Sequence, residues 1–140
     1  MKAYLTRRYM FSASHRLHSD SMSDEENRSV YGKCNNPFGH GHNYALEVTV
    51  AGQVELKTGM VCNLVDLDSF VRKNVVQRFD HENLNTLAEF STAVPTTENL
   101  CIEVYNILQQ GFHHASVEKV RMEETMLNSF EYAGEREIRS

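Results

Sequence analysis

The sequence predicts an α+β domain built on an antiparallel sheet, and three observations carry that prediction. Two long segments in the first 50 residues alternate apolar and polar side chains, the period of a half-buried strand. Two later segments repeat apolar residues at helical spacing. Two further alternating segments follow the helices. Runs of strands therefore flank a helix pair. We expect a four-stranded sheet with two helices on one face, in a single domain spanning all 140 residues, 1–140.

The first strand is expected over 3–15, where Ala3, Leu5, Tyr9, Phe11, Ala13 and His15 share a face that Arg7 interrupts. The polar run from Ser19 to Ser29 has no apolar period and reads as a long loop. The second strand is expected over 42–50, with Tyr44, Leu46, Val48 and Val50 on the face of His42. Ala51-Gly52-Gln53 and Lys57-Thr58-Gly59 read as turns, and Met60-Val61-Cys62-Asn63-Leu64 as a short strand leading into a helix. That helix is expected over 66–78, from the spacing of Leu67, Phe70, Val71 and Val75, with Asn63 or Asp66 as its cap. A second helix starts near Thr96, after Pro95, and stops at Gly111. Strands over 117–124 and 129–132 close the chain.

Composition narrows the function. The net charge is −5 with no Lys/Arg cluster, which argues against general nucleic-acid binding. No window of about 18 apolar residues offers a membrane span. The first residues lack the apolar run of a secretory signal. Three cysteines, with no Cys-x-x-Cys pair, argue against a disulfide framework. A cytoplasmic location is expected.

The chemistry concentrates in Cys34-Asn35-Asn36-Pro37-Phe38-Gly39-His40-Gly41-His42-Asn43-Tyr44. On a strand, His40 and His42 point the same way, and two imidazoles so placed suit zinc. His15, ending the strand expected to pair with this one, is the candidate third ligand; His18 is its rival. Cys34 reads as a fourth ligand, a base, a nucleophile or an inert thiol. Cys62 and Cys101 read as small buried hydrophobes. Asp80-His81 forms a possible relay, and Glu124 extends the apolar face of Val120 and Met122 as an inward acid suited to a flat, donor-rich ligand. His113 and His114 read as a solvated loop pair.

Phe11-Ser12-Ala13-Ser14-His15-Arg16-Leu17, Tyr31-Gly32-Lys33 with the Cys34 to Tyr44 stretch, Gly59-Met60-Val61, Asp80-His81-Glu82-Asn83-Leu84, Pro95-Thr96-Thr97-Glu98-Asn99 and Glu124-Thr125 resemble, in order, the 6-pyruvoyltetrahydropterin synthase family. The resemblance implies the tunnelling fold, in which subunit sheets join into trimeric barrels and two trimers stack as a homo-hexamer with intersubunit active sites. It implies zinc on His15, His40 and His42. It implies catalytic roles for Cys34, Asp80, His81 and Glu124, with Glu124, Thr96 and Thr97 holding the pterin. The family's substrate is 7,8-dihydroneopterin triphosphate. The sister branch, 6-carboxytetrahydropterin synthase of queuosine biosynthesis, resembles this chain too, but its cysteine typically lies three residues before the His-Gly-His; here five residues, Asn35 to Gly39, intervene. Phe79, Glu82 and Asn85 stand where the family pattern carries Leu, a basic residue and Asp. A non-catalytic zinc-binding interaction module, closed by Cys34, is the alternative of a different class. The triphosphate calls for cations, for which Lys33, Arg16 and Arg28 are candidates.

Overall fold

The alternating N-terminal segments fold as one long hairpin. β1 (Lys2–His15) pairs antiparallel with β2 (His40–Gln53) without a break, from Lys2 opposite Gln53 to His15 opposite His40. The computed structural model describes residues 1–135. Odd residues of β1 and even residues of β2 share a face, so Tyr9, Phe11 and Ala13 lie buried beside Tyr44, Leu46 and Val48. Arg7, the interruption on that face, donates through Nε and a terminal nitrogen to the two carboxylate oxygens of Asp68 at 3.1 and 3.0 Å. Tyr9 donates its hydroxyl to the same carboxylate at 2.7 Å, so the charge on an apolar face is satisfied. β2 runs on to Gln53, and the chain reverses at 56–58 rather than at Ala51-Gly52-Gln53.

The polar run expected to be a loop contains a helix, α1 (Asp24–Tyr31). Its start is a capping box: Ser23 Oγ accepts from the Glu26 backbone N–H, and the Glu26 carboxylate accepts from the Ser23 N–H. Buried Asn27 ties the preceding turn to the helix, accepting from Ser19 N–H at 2.7 Å and donating to the carbonyls of Ser19 and Ser23 at 2.9 and 3.0 Å. A short 3-10 turn, Gly32–Asn35, then carries Cys34 back to the sheet.

Residues 60–64 form no strand. They bend directly into α2 (Leu64–Val71), capped by Asn63, whose side chain accepts from Val65 N–H at 2.8 Å. The helix continues through a π turn, Arg72–Val76, into α3 (Gln77–Phe79). Leu67, Val71, Val75 and Phe79 are fully buried, and the Phe79 ring stands 6.3 Å from that of Phe11.

Among the described residues the sheet has five strands, not four, in the order β3 (Glu82–Asn83), β1, β2, β4 (Ser116–Thr125), β5 (Asn128–Tyr132). The addition is β3 (Glu82–Asn83), which pairs parallel with Ala13 and Ser14 of β1. His81 N–H donates to Ser12 O at 2.6 Å and Ser12 N–H donates to Asp80 Oδ1 at 2.8 Å, drawing this segment onto the edge of β1. A two-residue pairing of this kind has no periodicity for a sequence to display.

α4 (Thr97–Gly111) is capped by Thr96 and buries Leu100, Cys101, Val104 and Leu108. β4 (Ser116–Thr125) pairs with β2, and β5 (Asn128–Tyr132) pairs with β4. Val120 and Met122 join the same core as the helices, so α2 and α4 cover one face of the sheet. Among the described residues no helix is long and apolar enough to cross a membrane.

Candidate active site

Three strand ends build the site. The β1–β2 register brings His15, His40 and His42 to one end of the sheet, and β4 delivers Glu124 beside them. One ligand atom each from His15, Cys34, His42 and Glu124 lies within 4.8 Å of the others. Glu124 Oε1 is 2.9 Å from His42 Nε2 and 3.7 Å from His15 Nε2, and Cys34 Sγ is 3.9 Å from His42 Nε2. His40 is outside this group of four but packs edge-on against His42, with ring centroids 4.5 Å apart; the His15 and His42 centroids are 4.8 Å apart. Gly39, just before His40, has φ +84°, and a Cβ there would also meet the His15 carbonyl at 3.4 Å.

His15 is fully buried. Its Nδ1 lies 2.8 Å from the Pro95 carbonyl, with the Tyr44 hydroxyl 3.3 Å away. A carbonyl only accepts, so Nδ1 carries the hydrogen and Nε2 keeps its lone pair. That Nε2 has no hydrogen-bond partner among the described residues. A buried lone pair without a partner is costly unless a ligand meets it. Burial, the largest influence on both rings, lowers the pKa of His15 and of His42 and favours the neutral, ligating form. The donor set of imidazole, thiol and carboxylate fits zinc. Pro95 and Tyr44 orient His15 as a metal site's outer partners do. Sequence reasoning gave neither this role. Tyr44 had a signal in its place two residues beyond His42 on the same face, whereas the Pro95 carbonyl had none.

Half-buried Cys34 is fixed by its own carbonyl, which accepts from Leu17 N–H at 2.7 Å. Burial pushes its thiol pKa up, and the negative charge of Glu124 adds to the shift.

A family model described as 6-pyruvoyl tetrahydropterin synthase matches residues 4–135. The chain belongs to the 6-pyruvoyl tetrahydropterin synthase family. It is 46% identical over 133 residues to the 6-pyruvoyl tetrahydrobiopterin synthase of Poecilia reticulata, covering 94% of this chain and 90% of the relative. It is 45% identical over 135 residues to the enzyme of that name from Homo sapiens, covering 96% and 93%. The solved structure of Caenorhabditis elegans 6-pyruvoyl tetrahydropterin synthase matches with a TM-score of 0.91 at 39% identity, covering 96% of this chain and 97% of that one.

The remaining candidate residues of the sequence lie outside the cluster of four. Asp80 and His81 do form a pair, with Asp80 Oδ2 3.0 Å from His81 Nδ1. The Ser12 backbone N–H, the leading cause, holds the Asp80 carboxyl below its ordinary value. His81 has φ +60°, a left-handed conformation uncommon outside glycine, locked by its bond to Ser12. Yet its side chain is 83% exposed, and among the described residues neither member of the pair hydrogen-bonds to Cys34. Thr96 is occupied as a helix cap, its Oγ1 accepting from Asn99 N–H at 3.1 Å. Thr97 is buried with its hydroxyl lacking a partner among the described residues. His18 is engaged by Asn35 and Asp20 and is no part of the cluster. His113 and His114 are exposed beyond α4.

Proposed function

We propose that this site converts 7,8-dihydroneopterin triphosphate to 6-pyruvoyltetrahydropterin, eliminating triphosphate and rearranging the side chain internally to two ketones. The convergence of His15, Cys34, His42 and Glu124 in a chain that matches its family from residue 4 to 135 carries this reading.

His15, His40 and His42 would hold the zinc, and the unpartnered His15 Nε2 supports that assignment. The metal, when bound, supplies Lewis acidity toward the hydroxyl oxygens of the substrate side chain, which acidifies the neighbouring C–H bonds. Cys34 moves the proton at that carbon, next to His42. Glu124 accepts N–H donors from the pterin ring, and the backbone at Thr96-Thr97 supports the ring. Asp80 orients His81 as the proton relay. His81 is strained and exposed, which supports its serving a site across a subunit boundary in a homo-hexamer of two trimers. A cytoplasmic location belongs to the same reading. The five residues between Cys34 and His40 favour this reaction over that of 6-carboxytetrahydropterin synthase.

Zinc-loaded protein incubated with 7,8-dihydroneopterin triphosphate should release triphosphate and yield a product with the mass of 6-pyruvoyltetrahydropterin. A 6-carboxytetrahydropterin product would move the chain to the sister branch. Cys34 also lies within ligand distance of the histidine cluster, which admits a closed, non-catalytic site. In that case alkylation of Cys34 would require prior removal of zinc.

A further inference from the structure

The chain just after His15 is held from two sides. Arg16 and Leu17 continue β1 beyond its last paired residue, and all four of their main-chain groups are engaged. Asn85 takes both groups of Arg16. Its Oδ1 accepts from the Arg16 N–H at 2.6 Å, and its Nδ2 donates to the Arg16 carbonyl at 2.8 Å. The Cys34 turn takes both groups of Leu17. The Leu17 N–H donates to the Cys34 carbonyl at 2.7 Å, and the Leu17 carbonyl accepts from buried Asn35 Nδ2 at 2.7 Å. Arg16-Leu17 is thus the link between the strand end that carries His15 and the turn that carries Cys34.

The Asn85 clamp completes a pairing that the main chain leaves unfinished. The segment from Asp80 follows the edge of β1: Asp80 and His81 bond to Ser12, and β3 lies beside Ala13 and Ser14. It then leaves the sheet in a 3-10 turn, Leu84–Thr86, anchored by fully buried Leu84. A carboxamide carries the donor and the acceptor of a peptide group, so Asn85 pairs with Arg16 as a further strand residue would. His15 lies between the β3 pair at Ser14 and this clamp, with His40 opposite it on β2. Asn85 is exposed, so its bonds and not its packing account for what it contributes.

We propose that Asn85 is a positioning residue of the metal site: by holding both main-chain groups of Arg16, it fixes the strand end from which His15 reaches the metal. The proposal rests on the zinc assignment above and extends it. A ligand ring meets its metal at a productive angle only where the peptide that carries it is held still. The Pro95 carbonyl fixes the rotation of the His15 ring, and Asn85 fixes its base.

The test measures zinc affinity by competition with a chromophoric chelator in the parent, Asn85→Asp and Asn85→Leu. Melting curves of the zinc-free proteins check each fold, and hydrogen exchange follows the Arg16 amide. Asn85→Asp keeps the accepted bond and loses the donated one; Asn85→Leu keeps the size and loses both. Zinc affinity should fall by about tenfold or more in Asn85→Leu and by less in Asn85→Asp, with both zinc-free proteins melting near the parent. The new carboxylate would itself attract a cation, so a loss in Asn85→Asp belongs to the missing bond. Exchange at the Arg16 amide should speed up in Asn85→Leu and stay slow in Asn85→Asp, which still accepts its hydrogen. A merely structural Asn85 would lower the melting temperature and leave the zinc affinity of the folded protein unchanged, which overturns the proposal. Should Asn85→Leu fail to fold, parent-like zinc affinity in Asn85→Asp overturns it alone. A parent that binds no zinc overturns the metal assignment itself, a result distinct from parent and variants binding zinc alike.

Discussion

Glu124 Oε1 stands 2.9 Å from His42 Nε2, so the acid of β4 and the second histidine of β2 meet at hydrogen-bond distance. His15 Nε2 is 3.7 Å from the same oxygen. The carboxylate therefore stands among the side chains that could hold a metal, His15, Cys34 and His42. Two roles compete for it, zinc ligand or ring anchor.

Replacing Glu124 with Gln separates those roles. Gln keeps the size but turns one acceptor into a donor, which would face the ring's own N–H groups. A charge-assisted hydrogen bond in a closed pocket contributes about 1.5–3 kcal/mol, so pterin binding should weaken roughly tenfold to a few hundredfold. Zinc content, measured by atomic absorption, should stay at the parent level. Zinc loss would make Glu124 a ligand in place of His40, and tight pterin binding with failed turnover would make it a proton-transfer group.

Alanine at His15, His40 or His42 should each abolish zinc retention and activity together. The sharpest case is His40, which packs on His42 but falls outside the tight group of four donor atoms. If His40→Ala retains full zinc, the third ligand is Glu124 or Cys34.

Cys34→Ala should keep zinc and melting temperature near the parent values and lose product formation, with kcat reduced by about a hundredfold or more. Zinc loss from this variant would place the thiol on the metal.

Much of this site was legible in the sequence because it lies on regular strands. Period-2 alternation places His15, His40 and His42 at one sheet end and turns Glu124 inward, and the register does the rest. Helix α4 was legible for the same reason, with Pro95 before it, Thr96 capping it and an apolar stripe along it. What escaped was local or non-periodic. Helix α1 has too few apolar residues to show a stripe, and its capping box, Ser23 to Glu26, was the one available sign. β3 is a two-residue edge pairing created by bonds between Ser12 and the Asp80-His81 turn. The Pro95 carbonyl that orients His15 is a main-chain atom 80 residues away, and no side-chain pattern announces it.

A partly exposed ion pair ties β1 to α2. Arg7 sits on the otherwise apolar face of β1, and Asp68 of α2 receives both its nitrogens and the Tyr9 hydroxyl. The Arg7 hydrogen bond, the largest influence, holds the Asp68 carboxyl below its ordinary value of 3.8. A carboxylate whose folded-state pKa is depressed contributes stability that is fully present above its unfolded value and is lost as the pH falls through the folded one. Asp68→Asn keeps the shape and removes the charge. The pair is partly exposed and screened, so the parent should melt about one to three degrees above Asp68→Asn at neutral pH. That gap should hold as the pH is lowered toward 3.8, then shrink and close as the parent's carboxylate is protonated. Thermal unfolding followed by circular dichroism across this range measures it. A gap that persists unchanged well below 3.8 would mean that Asp68 acts through packing and not through its charge.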